Sequence, residues 1–136
     1  MIKLKRIYER AEPSDGYRVL VDRLWPRGVR KSDAKLDGGL SDLAPSTGLR
    51  KWFEHDPKKW PEFQRRYRAE LISKTHLLQK LIGDAAARDI TLVYASRVQQ
   101  YNNATVLREV IDELLAHENH VQPQKVQHLF QFTFGR

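Results

Sequence analysis

The chain has 136 residues, no cysteine, and a formal net charge of +7 from 24 Lys and Arg against 17 Asp and Glu. That length supports one domain with its own core, and the lack of cysteine excludes a disulfide framework and thiolate chemistry. No apolar run approaches the roughly 18 residues of a membrane span, and the N-terminus, Met1 to Arg6, mixes charge into its apolar pattern and lacks a signal-peptide core, so no membrane contact and a cytoplasmic location are expected.

Taken in order, Ile2 and Leu4 alternate with Lys3 and Lys5, a weak strand pattern over residues 2 to 8. Glu12-Pro13-Ser14-Asp15-Gly16 is rich in turn formers. Tyr17 to Arg23 reads as a second strand whose apolar centre, Val19-Leu20-Val21, ends in Asp22 and Arg23. Leu24, Trp25, Pro26, Arg27 and Gly28 then turn the chain. In open α/β folds, ligands bind beyond the C-terminal ends of the strands. This stretch is therefore the first candidate for a site, the plainer reading being that Asp22 pairs with Arg23 and Trp25 only packs. Residues 26 to 45 hold little periodicity and read as a long loop with one helical turn near Val29 to Asp33. Such loops in compact domains usually do something.

A helix start is expected at Pro45-Ser46-Thr47, where Ser46 or Thr47 can cap, followed by Leu49, Trp52 and Phe53. Asp56 and Pro57 fit the cap and first position of the next helix. Trp60, Phe63, Tyr67 and Leu71 form one stripe at helical spacing, with Lys58, Lys59, Arg65, Arg66 and Arg68 on the other face. The aromatic stripe, with Trp52, should be buried against the sheet. The pattern resumes at Leu77, Leu78, Leu81, Ile82 and Ala85, and the residues between leave open whether the helix is interrupted. Ile90 to Ala95 is a run of β-formers suited to a strand covered on both faces. Polar Ser96, Arg97, Gln99, Gln100, Asn102 and Asn103 follow, then a helix marked by Val106, Leu107, Val110, Ile111, Leu114 and Leu115. The fold class that results is a single small α/β domain, with a mainly parallel sheet flanked by helices.

The chain changes character after Ala116, so residues 1–116 are read as the domain and 117–136 as a C-terminal extension. Phe130, Phe132 and Phe134 alternate with polar residues, a strand pattern that would add an edge or contact a partner in a homo-oligomer. His117, His120 and His128 fit no standard zinc spacing, and no metal ligand set is read.

Several of these segments carry a resemblance. Asp22-Arg23-Leu24-Trp25-Pro26-Arg27-Gly28, Leu43-Ala44-Pro45-Ser46, Leu49-Arg50-Lys51-Trp52-Phe53, His55-Asp56-Pro57, and Trp60, Phe63, Arg66-Tyr67 and Glu70-Leu71 look like the bacterial YeaO-like family of small domains of unknown function. Thr91-Leu92-Val93-Tyr94, with Asn102 and Ala104 ahead of Val106-Leu107, is similar to its closing signature. The resemblance spans residues 2 to 115. It implies a compact α/β domain with its motifs at one cleft and no established activity. Three positions depart from the family pattern: Gly38 and Gly39 stand where an acid and a Trp are usual, Arg97 and Val98 where Lys precedes Asp or Asn, and Asn103 where a His is usual. A histidine base at that last position is therefore missing from this chain.

No phosphate-binding Gly-rich loop, dinucleotide fingerprint or nucleophile elbow is present, and no cofactor is indicated. What remains is cationic. Residues 1 to 36 alone carry ten basic and five acidic groups, an excess that favours anionic partners. Arg23 and Arg27 follow a strand, and Ser46 opens a helix whose free amides attract negative charge. Arg50 lies one turn further along. Tyr94 and Asn102 flank the loop after the last strand. These six residues are expected to line one pocket for a small anionic ligand, phosphate- or nucleotide-like, with Asp22 orienting an arginine. The alternative is a module that binds nucleic acid weakly and without sequence preference through the basic helix face, or a regulatory module.

Overall fold

The structure, a computed structural model, describes residues 1–118. The extension beyond them, including Phe130, Phe132, Phe134, His120 and His128 and the edge strand or partner contact expected there, lies outside the described residues.

Four strands form one all-parallel sheet in the order β1-β4-β2-β3. These are β1 (Ile2–Arg6), β2 (Tyr17–Leu20), β3 (Gly38–Gly39) and β4 (Ile90–Tyr94). The central strand β4 is buried along its whole length, as its uninterrupted β-forming run requires. It pairs Leu92 with Leu4 on one side and with Val19 on the other. The helices are α1 (Lys31–Ala34), α2 (Thr47–Phe53), α3 (Trp60–Ile72), α4 (Thr75–Ala87) and α5 (Asn103–Glu118). Alternation along the strands separates two faces. Ile2, Val19, Val21, Ile90, Leu92 and Tyr94 pack in the main core with apolar residues of α2 to α5. Leu20 and Val93 point the other way, into a smaller cluster with Ile7 and Ala34. The fold is thus α/β with four helices on one face and the short α1 segment covering the other.

That second face carries a buried ionic network. Asp15 and Arg18 are 3% and 4% exposed. Arg18 donates to Asp15 Oδ2 at 2.6 Å, Lys5 Nζ to Asp15 Oδ1 at 2.8 Å, and the Arg18 guanidinium also reaches the Lys35 and Ala34 carbonyls. Burial alone would raise the Asp15 pKa, but hydrogen bonds from Lys5, the Glu12 amide and Arg18 outweigh it and hold the carboxyl below its ordinary value. Paired and fully bonded, the group fixes the turn that leads into β2. Gly16 in that turn has φ +66°, and a Cβ there would lie 2.5 Å from the Asp89 carbonyl oxygen, so only glycine fits.

Two boundaries that frame the cleft differ from the sequence reading, and one question it left open is answered. Strand β2 ends at Leu20, although the Val21 amide still donates to the Val93 carbonyl at 3.0 Å. The long loop contains a strand, β3, which two glycines gave no pattern to announce. Between α3 and α4 the helix is interrupted, with Ser73 and Lys74 outside both. No helix among the described residues is long and apolar enough to cross a membrane.

Candidate functional site

The loops after β2 and β4 meet at the C-terminal edge of the sheet and, with α2, enclose a cleft of about 550 Å³. Such a volume suits a small ligand. Its polar lining includes Asp22, Arg23, Arg50, Lys51, His55, Asn102 and Asn103, and its apolar walls include Leu24, Trp25, Phe53 and Phe63.

Asp22 forms the floor. Because β2 and β4 are neighbours, the chain leaving β2 passes the end of β4, and Asp22 Oδ2 accepts the Ala95 amide at 2.8 Å. That amide lies just past the ladder and would otherwise lose its partner. Asn103, the first residue of α5, donates through Nδ2 to Asp22 Oδ1 at 3.3 Å and to the Val21 carbonyl at 2.9 Å. Burial raises the Asp22 pKa above its ordinary value, against the hydrogen bonds from Ala95 and Asn103 and the positive charges of His55 and Arg50, which lower it. The expected role of Asp22 in orienting an arginine is therefore corrected: among the described residues it binds a backbone amide and a side-chain amide, and no guanidinium.

The six expected residues do not share one pocket. Arg23, Arg50 and Asn102 line the cleft. Arg23 is largely committed to the fold, donating to the carbonyls of Pro45 and Ala44 at 3.3 Å each. Asn102 is buried and caps α5. Its Oδ1 accepts the Thr105 amide at 3.1 Å, while its Nδ2 ties back the Val98 and Gln99 carbonyls. Arg50 is the exposed cation of the set, with no side-chain hydrogen bond or ion pair among the described residues.

The other three lie elsewhere. Ser46 caps α2 as expected, accepting the Leu49 amide at 3.1 Å, but Glu70 of α3 already fills the anion position. Its carboxylate takes the Ser46 amide at 2.8 Å and the Ser46 hydroxyl at 2.5 Å. Tyr94 is buried in the main core, where desolvation raises its phenol pKa, and it is absent from the cleft lining. Arg27 lies in a neighbouring, more open groove with Arg6, Tyr8, Gly28, Ala95 and Arg97.

Sequence reasoning passed over Asn103 as a site residue and misassigned Asp22. The signal for both was the β2-β4 adjacency, which no local pattern encodes. The basic face of α3 is also less available than its composition suggests. Glu62 pairs with Arg65 and Arg66 at 2.6 and 2.7 Å, and the two guanidinium groups hold its pKa down at about 2. Arg68 reaches Glu109 and Glu113 of α5, and Lys59 and Arg66 stack on the Trp52 ring. Among the described residues, no cluster of three or more His, Asp or Glu side chains is placed to hold a metal ion.

Against known proteins, residues 1–129 match the family model described as the inactive DUF488-N3 subclade. The chain is similar to the uncharacterized protein YeaO of Escherichia coli (strain K12), at 41% identity over 113 residues, covering 83% of this chain and 98% of that protein. It is also similar to an uncharacterized protein of Mycobacterium tuberculosis (strain ATCC 25618 / H37Rv), at 40% identity over 113 residues, 82% of this chain and 93% of the relative. No solved structure matches it.

Proposed function

This chain belongs to the inactive DUF488-N3 subclade and is similar to YeaO of Escherichia coli, and from the first of these we propose that its cleft binds a small anionic ligand and holds it without converting it. The observation that carries this reading is Arg50: an exposed guanidinium without a partner among the described residues, at a cleft whose floor is a bonded Asp22–Asn103 pair. A guanidinium can grip an oxyanion through two parallel hydrogen bonds. Lys51 adds positive charge beside it, partly offset by Glu54 in the same lining, while Trp25, Phe53 and Phe63 offer flat apolar walls to the body of the ligand. Asp22 has spent two acceptor positions and keeps others for a hydrogen-bond donor on the ligand.

The subclade's description fits one local feature. At position 103, where the family resemblance implies histidine, the amide of Asn103 faces Asp22. An amide holds a hydrogen bond but does not shuttle a proton, so the acid–base pair a histidine would complete is missing.

The test is a thermal shift titration with adenosine monophosphate, adenosine and inorganic phosphate, in wild type and Arg50→Ala, with chloride at matched ionic strength. A ligand that binds only the folded state stabilises it by mass action. Adenosine monophosphate should stabilise wild type more than phosphate does, and Arg50→Ala should remove the excess. Equal stabilisation in the variant, or by chloride, would count against the cleft.

The nucleic-acid alternative draws support from the net charge alone. Its basic helix is largely neutralised by Glu62, Glu109 and Glu113.

A further inference from the structure

The groove beside the cleft shares only Ala95 with it and is lined by Arg6, Tyr8, Arg27, Gly28, Ala95 and Arg97. Three of its six lining residues are arginines and none is acidic. Three guanidinium groups lining one groove with no ion-paired carboxylate among the described residues raise one another's electrostatic cost.

The three are held differently. Arg6 closes β1 and is pre-positioned: its Nε donates to the Ser96 carbonyl at 2.9 Å, its Nη2 to the Ala95 carbonyl at 3.4 Å, and its plane lies over the Tyr8 ring at 4.9 Å. A guanidinium has five N–H donors, so three remain for a ligand. Arg27 and Arg97 are exposed, and neither side chain has a hydrogen bond or ion pair among the described residues. The Arg27 backbone is fixed nonetheless, since its carbonyl accepts the Tyr8 hydroxyl at 3.0 Å. Next to it, Gly28 at φ +76° makes a turn that a side chain would strain. The nearby Glu9 carboxylate takes the Arg6 backbone amide at 2.6 Å and makes no ion pair with the three guanidinium groups among the described residues.

From this arrangement we infer that the Arg6–Arg27–Arg97 groove is a second anion site, distinct from the cleft, for a phosphate dianion, free or as a monoester. A carboxylate has two oxygens and is satisfied by one arginine. A phosphate offers three or four oxygens and two charges, which matches three guanidinium groups approaching from three loops or strand ends. The exposed Tyr8 ring, 49% accessible, stands beside the arginines and gives the ester substituent an aromatic surface. This site does not depend on the cleft reading, because no residue of the Arg50 set lines it.

Calorimetric titration of inorganic phosphate into the full chain tests it, with Arg27→Ala/Arg97→Ala and Arg50→Ala as the two arms and sodium chloride at matched ionic strength as control. Both variants replace exposed side chains, and their melting temperatures without ligand verify folding. The double variant should bind phosphate at least about tenfold more weakly, while Arg50→Ala stays within about twofold of wild type. Phosphate affinity that survives in the double variant overturns the proposal. So does a heat signal that chloride reproduces, which is screening rather than a site. Loss confined to Arg50→Ala also overturns it, and would place the anion in the cleft. Loss confined to the double variant supports the groove and leaves the cleft to its own nucleotide test. A single-stranded oligonucleotide that binds far more tightly than phosphate would assign the arginines to nucleic acid instead and overturn the proposal.

Discussion

Replacing Asp22 by alanine removes the acceptor of the Ala95 amide and one acceptor of Asn103. The Asn103 amide keeps the Val21 carbonyl, so it is only partly orphaned. The Ala95 amide, part-buried beyond the end of β4, has no second partner among the described residues. Leaving such a donor unsatisfied costs about 1–3 kcal/mol. Against this, removing a carboxyl group that burial disfavours in its ionised form returns part of the loss at neutral pH. The net expectation for Asp22→Ala is a destabilisation of about 1–2 kcal/mol at pH 7, read from urea melts. Asp22→Asn keeps an acceptor for Ala95 and carries no charge, so it isolates the ionisation. The raised pKa means that the folded state holds the Asp22 proton more tightly than the unfolded chain does. Its stabilising contribution is present below the ordinary carboxylate range and is lost as pH rises through the raised folded value. The stability of wild type relative to Asp22→Asn should therefore fall as pH rises from the ordinary carboxylate range through the raised folded value. Asp15 and Glu62, whose folded pKa values are lowered, contribute in the opposite direction, but they are common to both chains and cancel in the difference. A flat difference across that range, or an Asp22→Ala chain as stable as wild type, would refute the bonded-floor argument.

Other expectations follow from packing and charge. Phe63 is 2% exposed and stacks on Phe53 at 4.3 Å, so Phe63→Ala should cost about 3–5 kcal/mol in urea melts. Trp60 is half-buried at the edge of the same cluster, against Phe63 and Tyr101, and Trp60→Ala should cost visibly less; the reverse order would mean the cluster is described wrongly. Fluorescence anisotropy should find only weak, salt-sensitive DNA binding, and Arg65→Ala/Arg66→Ala should leave it nearly unchanged, because both side chains already face Glu62. Tight binding to one duplex sequence at physiological salt would contradict this. A chain ending at Glu118 retains Leu114 and every other described core residue, and its melting temperature should match that of the full chain if the extension is only an appendage.

Much of the fold was legible because it is written in local periodicity. The α3 stripe, the Ser46 and Asp56 caps and the unbroken β4 run each follow from side chains within one turn or one strand. Two of the four aromatic side chains expected to be buried met expectation, Phe63 and Tyr67, but Trp60 and Trp52 are only half-buried. Trp52 is instead covered by the cations Lys59 and Arg66, a use of charge that periodicity does not distinguish from solvent exposure. Strand β3 was invisible because Gly38 and Gly39 have no side chains to alternate.

Strand ends and parallel topology pointed to the C-terminal edge, where a cleft does lie, but only three of the six residues expected to line it do so. Which side chains meet there depends on partners far apart in the chain. Glu70 reaches Ser46 across 24 positions and Asp22 reaches Ala95 across 73, and no spacing rule announces either contact. Arg23 and Arg27, four residues apart, are sent to different concavities by the turn at Pro26 and Gly28.

The most direct measurement of the central claim is a crystal structure of the full chain soaked with adenosine monophosphate. The account predicts ligand density in the cleft, with phosphate oxygens within hydrogen-bond distance of the Arg50 guanidinium and the base against the Trp25 and Phe53 side of the wall. A cleft that holds only solvent at saturating ligand, with Arg50 turned away, would contradict it.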